Sequence, residues 1–248
     1  MEFRQLIPEP AEVELAELLS SLALEDRAGP DRPYTVVNFI ATVDGRAAFR
    51  GRSGALGDDG DKAMFFGLRE LVDAVFTGTG TIRAEHYGRI LSDPERRRRR
   101  VEAGRSPEPL ACIVTRTGDV PTDAPLVAEP DARVVVFTPT EVDFSGCAAQ
   151  VEQVHIDPGE LTLTTVSQRL RNDYGIASLL CEGGPTVFGS LLHENLADEL
   201  FLTISPNLTG GGTEPVITSG PELPELRPLK QLWVLERQQA LYIRFEIG

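Results

Sequence analysis

An α/β fold on a mixed, mostly parallel sheet is what this 248-residue sequence predicts. Three observations carry that expectation. Short apolar runs such as DAVFTG, LACIVTR and RVVVFTP alternate with segments of helical period, as strands buried between helices do. Two of the strand candidates, IASLLCE and DAVFTG, exit into glycine-bearing turns that lead on to helix-like sequence. The chain closes on QLWVLERQQALYIRFEI, two apolar runs about a polar turn, which predicts a C-terminal antiparallel hairpin.

The elements follow in order. AEVELAELLSSLAL (11–24) places Val13, Leu15, Leu18, Leu19 and Leu22 at helical spacing and predicts an amphipathic helix. DRAGPDRP reads as a linker, so residues 1–32 form a helix-and-linker segment ahead of one domain at 33–248. YTVVNFIATVDG predicts a strand running into a turn at Asp44 and Gly45. DDGDKAMFFGLRELV predicts a helix, acidic at its start, with Met64, Phe65, Leu68 and Leu71 on one face. LSDPERRRRRVEAG carries five consecutive arginines, Arg96–Arg100, and little apolar content, which predicts a solvated helix or a mobile excursion. VEQVHI is a further strand, and LTLTTVSQRLRNDYG is a helix that stops near Gly175. TVFGSLLHENLA is a helix with Val187, Phe188, Leu191 and Leu192 on one side, and DELFLTISPNL returns to strand.

Composition narrows the partners. A formal net charge of −14 argues against nonspecific nucleic-acid binding, though local arginines and backbone amides still accommodate an anionic ligand. No stretch approaches the roughly 20 apolar residues of a membrane span. The acidic N-terminus lacks a signal peptide's apolar centre, so a cytoplasmic protein is expected. Cys112, Cys147 and Cys181 form neither a disulfide framework nor a zinc-ligand spacing, and three histidines, at 86, 155 and 193, predict no metal centre.

The glycine turns carry the chemistry. In CEGGPTVFG, Gly183 and Gly184 let backbone amides approach a phosphate, Pro185 suits a first helical position, and Thr186 adds a hydroxyl. An ordinary strand-to-helix connection uses the same residues, and this stretch alone does not decide. A second exit, TGTGTIRAE, sets Gly78 and Gly80 among Thr77, Thr79 and Thr81. Neither is a GxxxxGK[ST] loop or a GxGxxG fingerprint, yet two such exits on a parallel sheet converge as a dinucleotide cradle does. In TVDGRAAFRGRSG, Asp44 braces its own turn or meets ligand, and Arg46, Arg52 and Ser53 are candidate phosphate partners.

TVDGRAA, the Ser-Gly before an acidic helix, LVDAVFTGTGTIRAEHYG and CEGGPTVFGSLLHENLADELFLTISPNLTGG, in that order, resemble the reductase domain of bacterial riboflavin biosynthesis. That pyrimidine reductase family has a dihydrofolate-reductase-like three-layer fold, and the likeness covers about residues 33–247. The resemblance implies an NADPH-dependent homodimer that reduces the ribosyl group of 5-amino-6-(5-phosphoribosylamino)uracil by hydride transfer to ribose C1. On the cofactor side it implies Ala41, Thr79, Gly80, Thr81, Glu85, Gly183, Gly184, Pro185, Thr186 and Val187, with Thr115 and Arg116 at the adenosine end and its 2′-phosphate. On the substrate side it implies Asn38, Asp44, Ser53, Arg69, Arg89 and Glu182, and Glu85 is the candidate acid or base.

Two departures stand out. Glu85-His86-Tyr87-Gly88 replaces an Asp-Asp-Pro style turn, and Asn38 stands where the family carries a lysine. They keep open a reductase of another heterocycle such as dihydrofolate, and a non-catalytic nucleotide-binding homodimer. No HxE…PCxxC signature of a zinc deaminase is present.

Overall fold

The structure, a computed structural model, describes residues 1–248. In chain order its elements are β1 (Glu2–Ile7), β2 (Ala11–Glu14), α1 (Leu15–Ser20), β3 (Tyr34–Thr42), α2 (Asp59–Leu71), β4 (Ala74–Gly78), α3 (Thr79–Ala84), α4 (Pro94–Glu102) and β5 (Leu110–Val114). They continue with β6 (Arg133–Thr138), β7 (Gln150–His155), α5 (Leu163–Tyr174), β8 (Ser178–Cys181), α6 (Pro185–His193), β9 (Glu199–Ser205), β10 (Leu229–Arg237) and β11 (Ala240–Ile247). The expected alternation of strand and helix is present. Two compact units share the chain: one comprises Met1–Ala23, Thr35–Leu68 and Pro185–Gly248, the other Leu24–Tyr34 and Arg69–Gly184.

In the first unit the sheet is mixed. β1 runs antiparallel to both β2 and β10, β10 to β11, and β11 to β9, while β9 is parallel to β3. The predicted hairpin is β10–β11. Its loop, Gln238 and Gln239, has φ of 51° and 70°, the positive values a two-residue type I′ turn needs to match strand twist.

The helix expected over 11–24 is corrected here. Ala11–Glu14 is a strand, and only Leu15–Ser20 is helical. AEVE finds ladder partners on β1, from Glu2 opposite Glu14 to Gln5 opposite Ala11, and that pairing overrides the helical spacing of Val13 and Leu15. Phe3 then buries its ring edge-on against Tyr242 at 4.9 Å, so the first 23 residues complete this unit's sheet and core. Gly67 on α2 leaves the space that the Leu19 side chain of α1 fills.

The second unit has an all-parallel sheet in the order β8-β4-β5-β6-β7. Parallel strands are covered on both faces, and Val75, Cys112, Ile113, Val135, Val136 and Leu180 are accordingly fully buried. α5 starts where the Thr162 hydroxyl accepts from Thr165 N at 3.0 Å, and stops at Gly175, where φ is 68°. At the amino edge of the sheet, the Asp73 carboxylate accepts from the backbone amides of Ala177 and Ser178, both at 3.0 Å. That edge is closed by structure, which leaves the carboxyl edge for chemistry.

The arginine run is no mobile excursion. α4 is capped by Asp93, whose side chain accepts from Glu95 N at 2.9 Å, with Pro94 at its first turn. Arg96 and Arg99 both clamp Glu70 of α2, at 2.6 Å each. Arg100 is buried and donates to the backbone carbonyls of Glu70 (2.8 Å), Val72 (2.7 Å) and Ser106 (2.9 Å). The first two are carbonyls at and beyond the end of α2 that the helix itself leaves unpaired. Burial lowers the guanidinium's pKa to about 10, which still leaves it charged at neutral pH. No helix in the chain is long and apolar enough to cross a membrane.

Candidate active site

The parallel register of β8, β4 and β5 brings three predicted segments to one edge. Cys181 lies beside Phe76, and Gly78 beside Val114, so Glu182–Gly184, Thr79–Thr81 and Thr115–Arg116 all leave the carboxyl ends of adjacent strands. Open α/β sheets bind ligands in that position. The two glycine turns meet: a Cβ on Gly184 would stand 3.2 Å from the Thr81 hydroxyl. Gly80 is exposed, and a Cβ there would meet nothing within 4 Å, so its backbone is open to a ligand. Thr115 is buried with its hydroxyl 3.5 Å from that of Thr117. The Arg116 guanidinium beside it is exposed, with no protein partner. Glu85, half-buried, ends α3, its backbone N–H donating to Thr81 O at 3.0 Å.

Beneath the glycine turns lies a buried ion pair. Arg69 Nε and Nη2 donate to the two Glu182 carboxylate oxygens at 2.7 and 2.6 Å, and Nη1 donates to the Ile90 carbonyl at 2.7 Å. Both side chains are about 5% exposed, at 6% and 4%. Burial, the largest single influence, would lower the arginine's pKa, but the charges and hydrogen bonds of Glu182 and Tyr87 together outweigh it and raise the value above the ordinary one. The Tyr87 hydroxyl also donates to Glu182. Sequence assigned Arg69 and Glu182 to the substrate separately; the structure turns them on each other. Arg89 is likewise engaged, by Glu108, by Glu129 at 3.3 Å and by Asp131 at 3.4 Å.

In the first unit, Ala41 is buried on β3, and Asn38 on the same strand has a buried Oδ1 with no hydrogen-bond partner. Asp44 is exposed, and its carboxylate braces two loops. It accepts from the Thr42 hydroxyl at 2.6 Å, the Thr209 hydroxyl at 3.0 Å and Gly210 N at 3.0 Å. The Thr42 hydroxyl above all, with the amides of Thr209 and Gly210, holds its carboxyl well below the usual carboxylate range. Ser53 is half-buried and accepts through its carbonyl from Leu56 N at 2.9 Å. Pro185 opens α6, Thr186 is exposed with its hydroxyl 3.1 Å from that of Ser219, and Val187 follows half-buried.

Tyr87 was absent from the sequence-derived set. A lone aromatic in the polar stretch EHYG was the available signal, since a buried phenol needs a partner for its hydroxyl. A cleft of about 420 Å3 also opens in the second unit, lined by Ile82, Arg83, His86 and residues 119–125. It contains none of the predicted residues, and its arginine is already bonded to Asp119. The strand edge, with open glycines and a free Arg116, is the better candidate.

The family model described as the RibD C-terminal domain matches residues 33–239. The 2,5-diamino-6-ribosylamino-4(3H)-pyrimidinone 5′-phosphate reductase of Archaeoglobus fulgidus is 28% identical over 194 residues, covering 76% of this chain and 87% of that one. Its namesake in Methanothermobacter thermautotrophicus is 27% identical over 205 residues, covering 79% and 88%. Among solved structures, a pyrimidine reductase-like protein of Corynebacterium diphtheriae superposes with a TM-score of 0.75 at 20% identity, covering 95% of this chain and 99% of that one. The riboflavin biosynthesis reductase of Saccharomyces cerevisiae gives 0.69 at 17%, covering 95% and 100%. The match spans most of the chain and both glycine turns: this chain belongs to the RibD C-terminal domain family of pyrimidine-reductase-like oxidoreductases, with the dihydrofolate-reductase-like fold.

Proposed function

We propose that the chain is an NADPH-dependent reductase that turns a ribosylaminopyrimidine 5′-phosphate into its ribitylamino product. The observation that carries this reading is the meeting of the Gly183–Gly184 and Thr79–Thr81 turns at the carboxyl edge of the parallel sheet, beside an unpaired arginine. Open glycine backbone suits a pyrophosphate, and Arg116 with the Thr115 and Thr117 hydroxyls suits the 2′-phosphate that separates NADPH from NADH. The orphaned Asn38 Oδ1 is an acceptor for a ligand N–H or O–H. Ala41, Pro185, Thr186 and Val187 are assigned to the cofactor, and Ser53 to the substrate, on resemblance alone, as is homodimeric assembly.

Bound NADPH supplies the hydride for ribose C1. The chain's own residues align the partners, exclude water and handle protons. Glu85, at the end of the helix that starts with Thr79, is assigned the proton exchange with the substrate on resemblance alone. Glu182, paired with Arg69, is assigned to the substrate on resemblance alone. Arg69 is a better fit as its holder than as a direct phosphate ligand, because three of its donors already have acceptors.

The first substrate to offer is 5-amino-6-(5-phosphoribosylamino)uracil. A second reading takes the 2,5-diaminopyrimidinone phosphate instead, favoured by the names of the archaeal relatives and by the 87% and 88% of their lengths that are matched. Loss of NADPH absorbance should be followed with each compound separately and with dihydrofolate as the control. Turnover with dihydrofolate alone would overturn the proposal. Arg116→Ala should weaken NADPH binding about tenfold or more and leave NADH unchanged, the effect of losing one charge-assisted contact. Equal weakening of both cofactors would remove Arg116 from the 2′-phosphate site.

A further inference from the structure

Beyond the end of the β4–β8 ladder, the last backbone bond between the two segments is Glu182 N–H to Phe76 O at 2.9 Å. Past it the two glycine turns share no backbone hydrogen bond, and what ties them is a side chain. After α3 the chain reverses at His86, where φ is 48°, and carries Tyr87 inward. Its amide donates to Ile82 O at 3.0 Å, and its carbonyl accepts from Leu126 N at 3.0 Å. The Tyr87 ring is buried with the Arg69 guanidinium 5.0 Å from its centroid, and the phenol donates to Glu182 Oε2. Burial pushes the phenol well above its ordinary value, so the group stays a donor at any pH at which the protein is handled.

Tyr87 is thus bonded to Glu182, the residue that enters the Gly183–Gly184 turn, and is itself anchored by its amide to Ile82, the residue that leaves the Thr79–Thr81 turn. We propose that Tyr87 is a positioning residue for the cofactor cradle, setting the separation of the two glycine turns through its hydrogen bond to Glu182. What fills the cradle rests on the cofactor reading above; the tie itself does not.

Tyr87→Phe is the direct test, because it keeps the ring and its stacking on Arg69 and deletes only the hydroxyl. The dissociation constant for NADPH should rise about 3- to 10-fold, as expected when one hydrogen bond to a charged group no longer preorganises a site. In the free protein, hydrogen exchange should quicken in peptides covering 78–81 and 182–184 and stay unchanged across β5 and β6. In a Glu182→Gln background the same substitution should add little, since its partner is already altered.

Unchanged exchange at both turns overturns the proposal. Uniformly faster exchange with a lowered melting temperature also overturns it, because Tyr87 would then be a stability residue only. If the wild-type protein does not bind NADPH, the cofactor reading is what fails. The exchange measurement on the free protein then still decides whether Tyr87 couples the turns.

Discussion

Arg69 shows how a residue's role changes once burial is known. At the end of an amphipathic helix, an arginine ordinarily faces solvent, and its sequence neighbours carry no sign that it turns inward. Here it is the sole cation against a carboxylate that is itself almost inaccessible. Arg69→Ala therefore leaves Glu182 buried and uncompensated. Loss of one partner of such a pair costs about 3–5 kcal/mol, so denaturant unfolding should register a loss of that size. A loss below about 1 kcal/mol would mean that water reaches Glu182 freely. The same residue teaches what sequence conveyed about the site. That two glycine turns follow strand ends was legible because turn chemistry and strand exits are local. The Arg69–Glu182–Tyr87 cluster was not, because it joins positions far apart in sequence that carry no shared pattern.

Among elements, α4 and β1 were the hardest to read, for opposite reasons. The α4 segment read as a solvated helix or a mobile excursion, whereas Arg96 and Arg99 act on α2, and nothing in PERRRRRVE names Glu70 as their target. β1 carries charges among its apolar residues, and one of its two partners, β10, lies near the other end of the chain. Central strands, by contrast, were readable throughout, since burial on both faces imposes an unbroken apolar run. The α2–α4 clamp has a pH signature. Burial works to raise the Glu70 pKa, but the Arg99 and Arg96 hydrogen bonds win and lower it. A lowered carboxylate pKa means stability that is complete above the ordinary glutamate value of about 4.3 and is lost as pH falls through the folded value. The melting temperatures of wild type and Glu70→Gln should differ at pH 7 and converge below about pH 4. A gap that persists in acid would show that the clamp works by packing.

For the molecule as a whole, net charge and local charge oppose each other. The chain carries −14, while the proposed cradle must admit a strongly anionic cofactor past that field. Screening should then help the approach: between about 0.01 M and 0.15 M ionic strength the Debye length shrinks from about 30 to 8 Å. The association rate constant for NADPH should rise over that range, measured by stopped-flow nicotinamide fluorescence. The dissociation rate constant should rise as well, because Arg116 is exposed to the same salt. An association rate that falls would mean that the cradle's own arginine dominates the long-range field.

The route of the chain through its two units has a consequence for how the protein is made. The second unit is drawn from Leu24–Tyr34 and Arg69–Gly184, whereas the first waits for Pro185–Gly248, which holds β9, β10 and β11. On a ribosome, all residues of the second unit emerge while β1 and β3 still lack their partners β10 and β9. Domains fold as they are released, at about 5–20 residues per second. The parallel sheet with its glycine turns is therefore positioned to form first. β1, synthesised before every other strand of its unit, is among the last to be sealed. A nascent chain arrested just after Gly184 should resist protease within 69–184 and be cut readily within 1–23. The opposite digestion pattern would place the first unit's nucleus in its own early segments.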